Sequence, residues 1–226
     1  MDEAAKDDIG ADGTGMDAKR EKDALLVAAL PNVVFDGWSV AALRAGARDA
    51  GIDMAAASAL FPRGSVDMVE WFNDWADRCM IERLAAAPLA EMKVRDRVAE
   101  GVRARLAILA PHREAARRGL AVLAQPQHAP LALKLVYRTV DAIWYAAGDT
   151  ATDYNFYTKR ALLAAVYGAT MLCWLEDRSP DGAVTDAFLQ RRLDEAMAVP
   201  KIAARLRAAA DRLPNPLRFL RAAQRR

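Results

Sequence analysis

The chain has 226 residues, 54% of them apolar, with a net charge of +2 and two cysteines. That length and apolar share allow one generous helical domain, or a small unit joined to a larger one, with a sizeable core. Alanine, leucine and arginine dominate and β-branched runs are scarce, so the fold class is all-α and sheet folds are excluded.

The first sixteen residues belong to an acidic, glycine-bearing stretch without an apolar run. They match neither a signal peptide nor an arginine-rich transit peptide and read as a disordered tail, residues 1–16. Gly10, Gly13 and Gly15 lack the preceding strand and following lysine of a phosphate cradle, so they read as linker. A first helix is predicted from Asp17 to Leu30, stopped by Pro31. Phe35 to Trp38 form a turn, and Ser39 caps a second helix, Val40 to Ala50. Asp53 caps a short third helix, Met54 to Leu60. These three helices make a helix-turn-helix-like unit over residues 17–62.

That unit is poorly equipped to read DNA. Base recognition needs Arg, Lys, Asn or Gln on the second helix of the motif, and Met54–Leu60 has none of them. Arg44, Arg48 and Arg63 could touch phosphate without specifying sequence.

Past Pro62-Arg63-Gly64, Ser65 opens a long helix ended by Pro88. The next carries Val94, Val98, Val102, Leu106 and Leu109 on one stripe and ends at Pro111. His112 to Ala124 follows, closed by Pro126 and Pro130. In the helix predicted from Leu131 to Ala147, the polar residues Lys134, Arg138, Asp141 and Tyr145 fall on a single line. The rest of its circumference is apolar, so it should be deeply buried except along that line. Gly148 is a natural terminator, and Thr152 or Asp153 caps the following helix. From Ala161 to Leu175 fifteen residues pass without a charge. That is short of the roughly 20 needed to span a bilayer, so protein, a second subunit or a lipid-filled cavity must enclose the helix.

Ala183 to Val199 and Lys201 to Leu213 are predicted as separate helices. Pro214-Asn215-Pro216 then restarts the chain for a last one, Leu217 to Arg226. Eight basic residues and one acid between Lys201 and Arg226 give this segment +7, which leaves the other 200 residues at −5. The segment reads three ways: as a solvated helix, as a DNA arm, or as a membrane-surface helix. The third suits Leu217, Phe219 and Leu220 opposed to Arg218 and Arg221.

The sequence supplies no catalytic residue set, no metal ligands and no cofactor motif. His112 and His128 lie outside any Glu-x-x-His or His-Glu-x-x-His setting, and His128 should be solvated in a proline-flanked loop. Cys79 and Cys173 read as free core thiols, in keeping with a reducing cytoplasm.

The stretch from Val140 to Asp181 carries Val140-Asp141 with Trp144, Gly148-Asp149, Thr152-Asp153, Tyr157-Thr158, Arg160 and Ser179-Pro180-Asp181. Together these closely resemble the signature of the ubiquinone (coenzyme Q) biosynthesis accessory lipid-binding proteins, and the resemblance covers roughly Ala24 to Leu193. It implies a tetracycline-repressor-like fold that forms a homodimer, with residues 63–200 as a lipid-binding and dimerisation body and residues 201–226 as basic amphipathic helices. The repressors' own Tyr-x-x-Phe-x-x-Lys pattern is replaced by Ser58, Phe61 and Gly64.

The resemblance implies a non-enzymatic role: holding an isoprenoid quinone or phospholipid and meeting the di-iron demethoxyubiquinone hydroxylase. It places partner binding at Asp141, Trp144, Tyr145, Gly148, Asp149, Tyr157 and Arg160. Periodicity alone puts Trp144 in the core, and Tyr157, Lys159 and Arg160 could equally tie down a loop beside Asp149 and Asp153. Leu163, Val166, Tyr167, Thr170, Met171 and Trp174 are the candidates for lipid contact. The expected location is cytoplasmic, peripheral at the inner face of a bacterial inner membrane, with no nucleic acid bound. The rival reading is a tetracycline-repressor-type regulator with an apolar ligand.

Overall fold

The computed structural model describes the backbone of residues 7–149 and 154–211, and the side chains of residues 15–149 and 156–198. Among the described residues nine α-helices and four short 3-10 turns account for the regular structure, and there is no strand. A head is formed by α1 (Asp7–Asp36), α2 (Val40–Ala50) and α3 (Met54–Leu60). The body comprises α4 (Ser65–Ala85), α5 (Val94–Leu109), α6 (Arg113–Leu123), α7 (Ala129–Ala146), α8 (Tyr154–Glu176) and α9 (Ala183–Asp211).

The caps follow from local chemistry. Ser39 accepts the Ala42 N–H at 3.2 Å, and Asp53 accepts the Ala55 N–H at 2.8 Å. Gly51, at φ 68°, closes α2 in the left-handed conformation that only glycine adopts without strain. Between α8 and α9, Asp177 accepts N–H and O–H bonds from both Ser179 and Thr185 at 2.6–2.8 Å. Those bonds hold its carboxyl far below the usual carboxylate range. Asp181 sits there at φ 53°, so the Ser-Pro-Asp element is a built turn.

Four boundaries differ from the sequence reading. The first helix begins at Asp7, not Asp17, so the stretch read as a disordered tail is helical from Asp7 onward; acidic residues there favour a helix N-terminus. It also continues through Pro31 to Asp36. Pro31 removes one backbone donor, but Leu26, Leu30 and Val33 are buried on both sides of it, and packing keeps the helix whole. The Asn32 amide donates to the Ala28 carbonyl at 3.4 Å beside the interruption. Likewise α9 runs unbroken through Pro200. Pro130 does not close a segment but sits in the first turn of α7, where its missing N–H costs nothing.

Trp38 pins head to body. Its indole N–H donates to Ala115 of α6 at 3.0 Å, and its ring meets Phe72 of α4 at 5.2 Å. Gly119 leaves room for it, because a Cβ there would lie 3.4 Å from the indole nitrogen. Below this junction, Arg105 of α5 is fully buried, within 3.1 Å of Asp77 and donating to Asn73 Oδ1 at 3.1 Å. Thr139 of α7 donates to the same Asp77 at 2.9 Å. Burial raises the Asp77 pKa, overcoming the opposing pull of Arg105 and Thr139.

Two helices are less enclosed than their patterns suggest. Along α7 the neighbouring helices cover Leu135, Thr139, Val140, Ile143 and Ala147, while Leu133 (71% exposed) and Tyr137 stay open. Along α8, Ala161, Ala165 and Leu172 form an uncovered apolar strip.

Candidate functional site

Helix α7 separates two cavities. On one side α5, α7, α8 and α9 border a half-open apolar chamber of about 230 Å³, walled by Val98, Trp144, Leu163, Val166, Leu193 and Met197 among others. Arg95 and Lys159 supply its charged atoms. Both are compensated: Arg95 donates to Asp194 at 2.7 Å and Lys159 to Asp149 at 2.7 Å. The chamber therefore presents hydrocarbon with a neutralised rim, which suits an apolar chain better than a free ion.

On the other side of α7 an open groove of about 660 Å³ runs between α4 and α7. Its walls include Asp74, Asp77, Arg78, Arg138, Asp141 and Tyr145 over an apolar floor from Ile81, Leu84 and Leu89. Burial alone would raise the Asp74 pKa, but hydrogen bonds from Arg78 and Arg138 hold it below the usual carboxylate range. Toward the head the charges continue: Lys134 meets Glu70 at 2.8 Å, Arg63 meets Glu70 at 2.7 Å, and Arg78 meets Asp23 at 2.6 Å. The hydrogen bond from Lys134, then that from Arg63, keeps the Glu70 pKa low despite partial burial. This seam ties α1 and α4 to α7.

The line Lys134, Arg138, Asp141, Tyr145 expected from periodicity does face outward, with Tyr145 82% exposed. The other candidate partner residues divide. Arg160 is buried and donates through Nε to Asp141 at 2.6 Å, with Nη1 3.4 Å from Asp149, while its guanidinium covers the Phe156 ring. The Asp149 side chain is equally enclosed. These two form a clamp behind the surface, which agrees with the loop-tying alternative. Gly148, at φ 84°, is exposed and closes α7; Arg97 of α5 donates to the adjacent Ala147 carbonyl at 3.1 Å. Tyr157 is exposed against the edge of Phe156. Trp144 lies on the chamber side, as periodicity alone has it, and its indole N–H donates to the Lys159 carbonyl at 3.2 Å.

Of the candidate lipid contacts, Leu163 and Val166 line the chamber. Tyr167 and Thr170 are packed inside, Thr170 donating to Val166 O at 2.7 Å; Met171 borders a small hole of about 30 Å³ beside Phe72. Trp174 lies under Arg113 at a separate pocket of α5, α8 and α9. Val94, Leu162, Ala196 and Met197 complete the chamber and were absent from the candidates. The apolar periodicity of α5 and α9 marks those helices as amphipathic without saying which gap they border. The membrane-surface candidates Leu217, Arg218, Phe219, Leu220 and Arg221, together with Thr152 and Asp153, lie outside the described residues.

Both histidines are structural. His112 packs edge-on against Trp75 at 5.8 Å, and burial lowers its pKa. His128 is half-buried in a 3-10 turn, its Nδ1 2.8 Å from the Val122 carbonyl. No group of three or more His, Cys, Asp or Glu among the described residues could hold a metal ion. Cys79 and Cys173 are free thiols, and burial raises the pKa of Cys79.

Residues 129–200, which hold α7, α8 and most of α9, match the COQ9 family model. The ubiquinone biosynthesis protein COQ9, mitochondrial, of Homo sapiens is 35% identical over 199 residues, 85% of this chain. Similarity to COQ9 proteins thus extends over most of this chain. The Drosophila melanogaster protein of the same name is 37% identical over 199 residues, 83% of this chain. The chain spans 63% of the human COQ9 relative and 61% of the fly one. Among solved structures, a TetR transcriptional regulator from Nitrosomonas europaea superposes with a TM-score of 0.64 at 20% identity, covering 78% of this chain and 97% of the regulator. Similarity to COQ9 and a TetR-like helical architecture thus coincide in one chain.

Proposed function

We propose that this chain is a non-enzymatic accessory protein of ubiquinone biosynthesis. It holds the isoprenoid portion of a quinone precursor in the apolar chamber and presents the precursor to the di-iron demethoxyubiquinone hydroxylase. The observation that carries the reading is the chamber beside an outward-facing Asp141/Tyr145 edge, set on a single helix of a COQ9-like body. A polyprenyl chain leaves a bilayer only where protein hydrocarbon replaces lipid, and this chamber offers such a surface. No helix among the described residues is long and apolar enough to cross a membrane, which fits peripheral attachment at the inner face of a bacterial inner membrane. The open strip Ala161, Ala165, Leu172 on α8 supports a homodimer, since a second copy would cover it.

The rival regulator reading is disfavoured by α3, which exposes Ala55, Ala56, Ser58 and Ala59 where a DNA reader needs amide or basic side chains. Native mass spectrometry of the purified protein should find a co-purifying isoprenoid lipid. Protein that is well folded, consistently empty and indifferent to quinone-bearing vesicles would overturn the container role. A salt titration against random duplex DNA should give a flat slope; a steep one would favour the regulator.

A further inference from the structure

A third cavity, of about 410 Å³, lies where the turn between α8 and α9 meets the corner between α5 and α6. Neither the container reading nor docking at α7 uses it. Its apolar lining comes from Leu106 and Ala110 of α5, Trp174 of α8 and Leu189 of α9. Four charged residues stand at its walls, one closed pair and two left open. Arg103 donates to Asp186 at 2.6 Å, so those two satisfy each other. Arg113 lies over the buried Trp174 ring at 4.7 Å and donates through Nη1 to the Asp177 carbonyl at 2.6 Å. No carboxylate among the described residues pairs with it, and its Nε and Nη2 have no partner there. The nearby Asp177 carboxylate is taken up by Ser179 and Thr185. Asp181 is the second open charge, exposed and without a hydrogen bond or ion pair among the described residues. Its backbone is held at φ 53°, where glycine sits more comfortably than aspartate. A strained residue with a free carboxylate at a cavity wall serves a ligand better than it serves the fold.

We propose that this cavity binds a zwitterion with an apolar limb, its anionic group on Arg113, its ammonium on Asp181 and its hydrocarbon against Leu106, Ala110 and Leu189. A simple anion would meet Arg113 but be repelled by Asp181, and a simple cation the reverse. A neutral hydrocarbon would leave both charges unmatched. Ring and carbonyl already fix the Arg113 guanidinium, so little order is lost when it takes a carboxylate or phosphate. An ethanolamine lysophospholipid and an aliphatic amino acid share the required chemistry. The cavity has no lining residue in common with the chamber, so this site stands apart from the container reading.

Calorimetry on the full chain tests this with two probes, lauroyl lysophosphatidylethanolamine below its micellar concentration and leucine. At least one should bind, and the tighter of the two names the source, membrane lipid or free amino acid. It should bind more tightly than dodecanoate or dodecylammonium, which carry one charge each. Asp181→Gly removes the carboxylate and relieves the backbone, so affinity should fall at least about tenfold while the melting temperature holds or rises. Arg113→Gln should weaken binding by a similar factor. Binding lost in a glycine variant that folds at least as well as the wild type does not come from unfolding. Lysolipid binding that Asp181→Gly leaves unchanged belongs to the chamber; it overturns the zwitterion site and leaves the container reading standing. Equal affinity for dodecanoate, or no binding of either probe, overturns the site as well.

Discussion

Helix α3 of the head and helix α7 of the body are both outward-facing, yet they are built differently. Helix α3 shows alanines and a serine to solvent and is fixed by one capping aspartate. Helix α7 shows Arg138, Asp141 and Tyr145, and it is fixed from beneath by Thr139 on Asp77 and from the side by the Arg160 clamp. A fold whose relatives include a transcriptional regulator has its chemically informative surface on the body. Fold likeness therefore locates the helices, and the side chains they carry decide which helix works.

The largest effect should come from removing what holds α7. Asp77→Ala strands the Arg105 guanidinium in the interior and should cost about 3–5 kcal/mol in urea unfolding, with hydroxylase binding lost as α7 loosens. A loss under about 1 kcal/mol would mean that α7 does not depend on that pair. The head offers the matching perturbation. A Cβ at Gly46 would stand 2.7 Å from the Ala29 backbone, which cannot step aside. Gly46→Ala should cost about 1–3 kcal/mol and raise amide exchange in α1 and α2, while hydroxylase binding survives. Lost binding in that variant would assign the head a direct part in docking.

At the surface, Tyr145→Ala should weaken hydroxylase affinity by about tenfold, or roughly 1.4 kcal/mol, without moving the melting temperature. An unchanged pull-down would remove Tyr145 from the edge. The smallest effect is expected at His112, where burial lowers the pKa. The unfolded chain then takes up the proton first, so stability is intact above the ordinary imidazole value of about 6.5 and declines as pH falls below it. His112→Phe should flatten the fall in melting temperature between pH 7 and 5; an equal slope would exclude His112 as its source.

The fold was legible wherever local chemistry decides. Ser39, Asp53 and Gly51 mark ends that the structure keeps. Pro31 misled because a proline's local penalty of about 3 kcal/mol is a one-residue signal, whereas the burial that offsets it is tertiary. The Asp141–Tyr145 line was legible because period 3.6 alone sets it. The chamber was not, since it is the space left between four helices, and no single helix records which of its apolar residues border a gap. Trp144 sits about 100° around α7 from Tyr145, enough to change which cavity it faces.

The seam of Arg63, Glu70, Lys134, Asp74 and Arg138 joins α4 to α7 through charge, and Arg78 on Asp23 carries it to α1. Arg63 and Lys134 stand more than half exposed there, within reach of mobile ions. Raising ionic strength should soften this junction while the apolar interior stays firm, because screening reaches exposed pairs far more than buried ones. The brine at which this protein is handled will therefore set how firmly α4 holds α7.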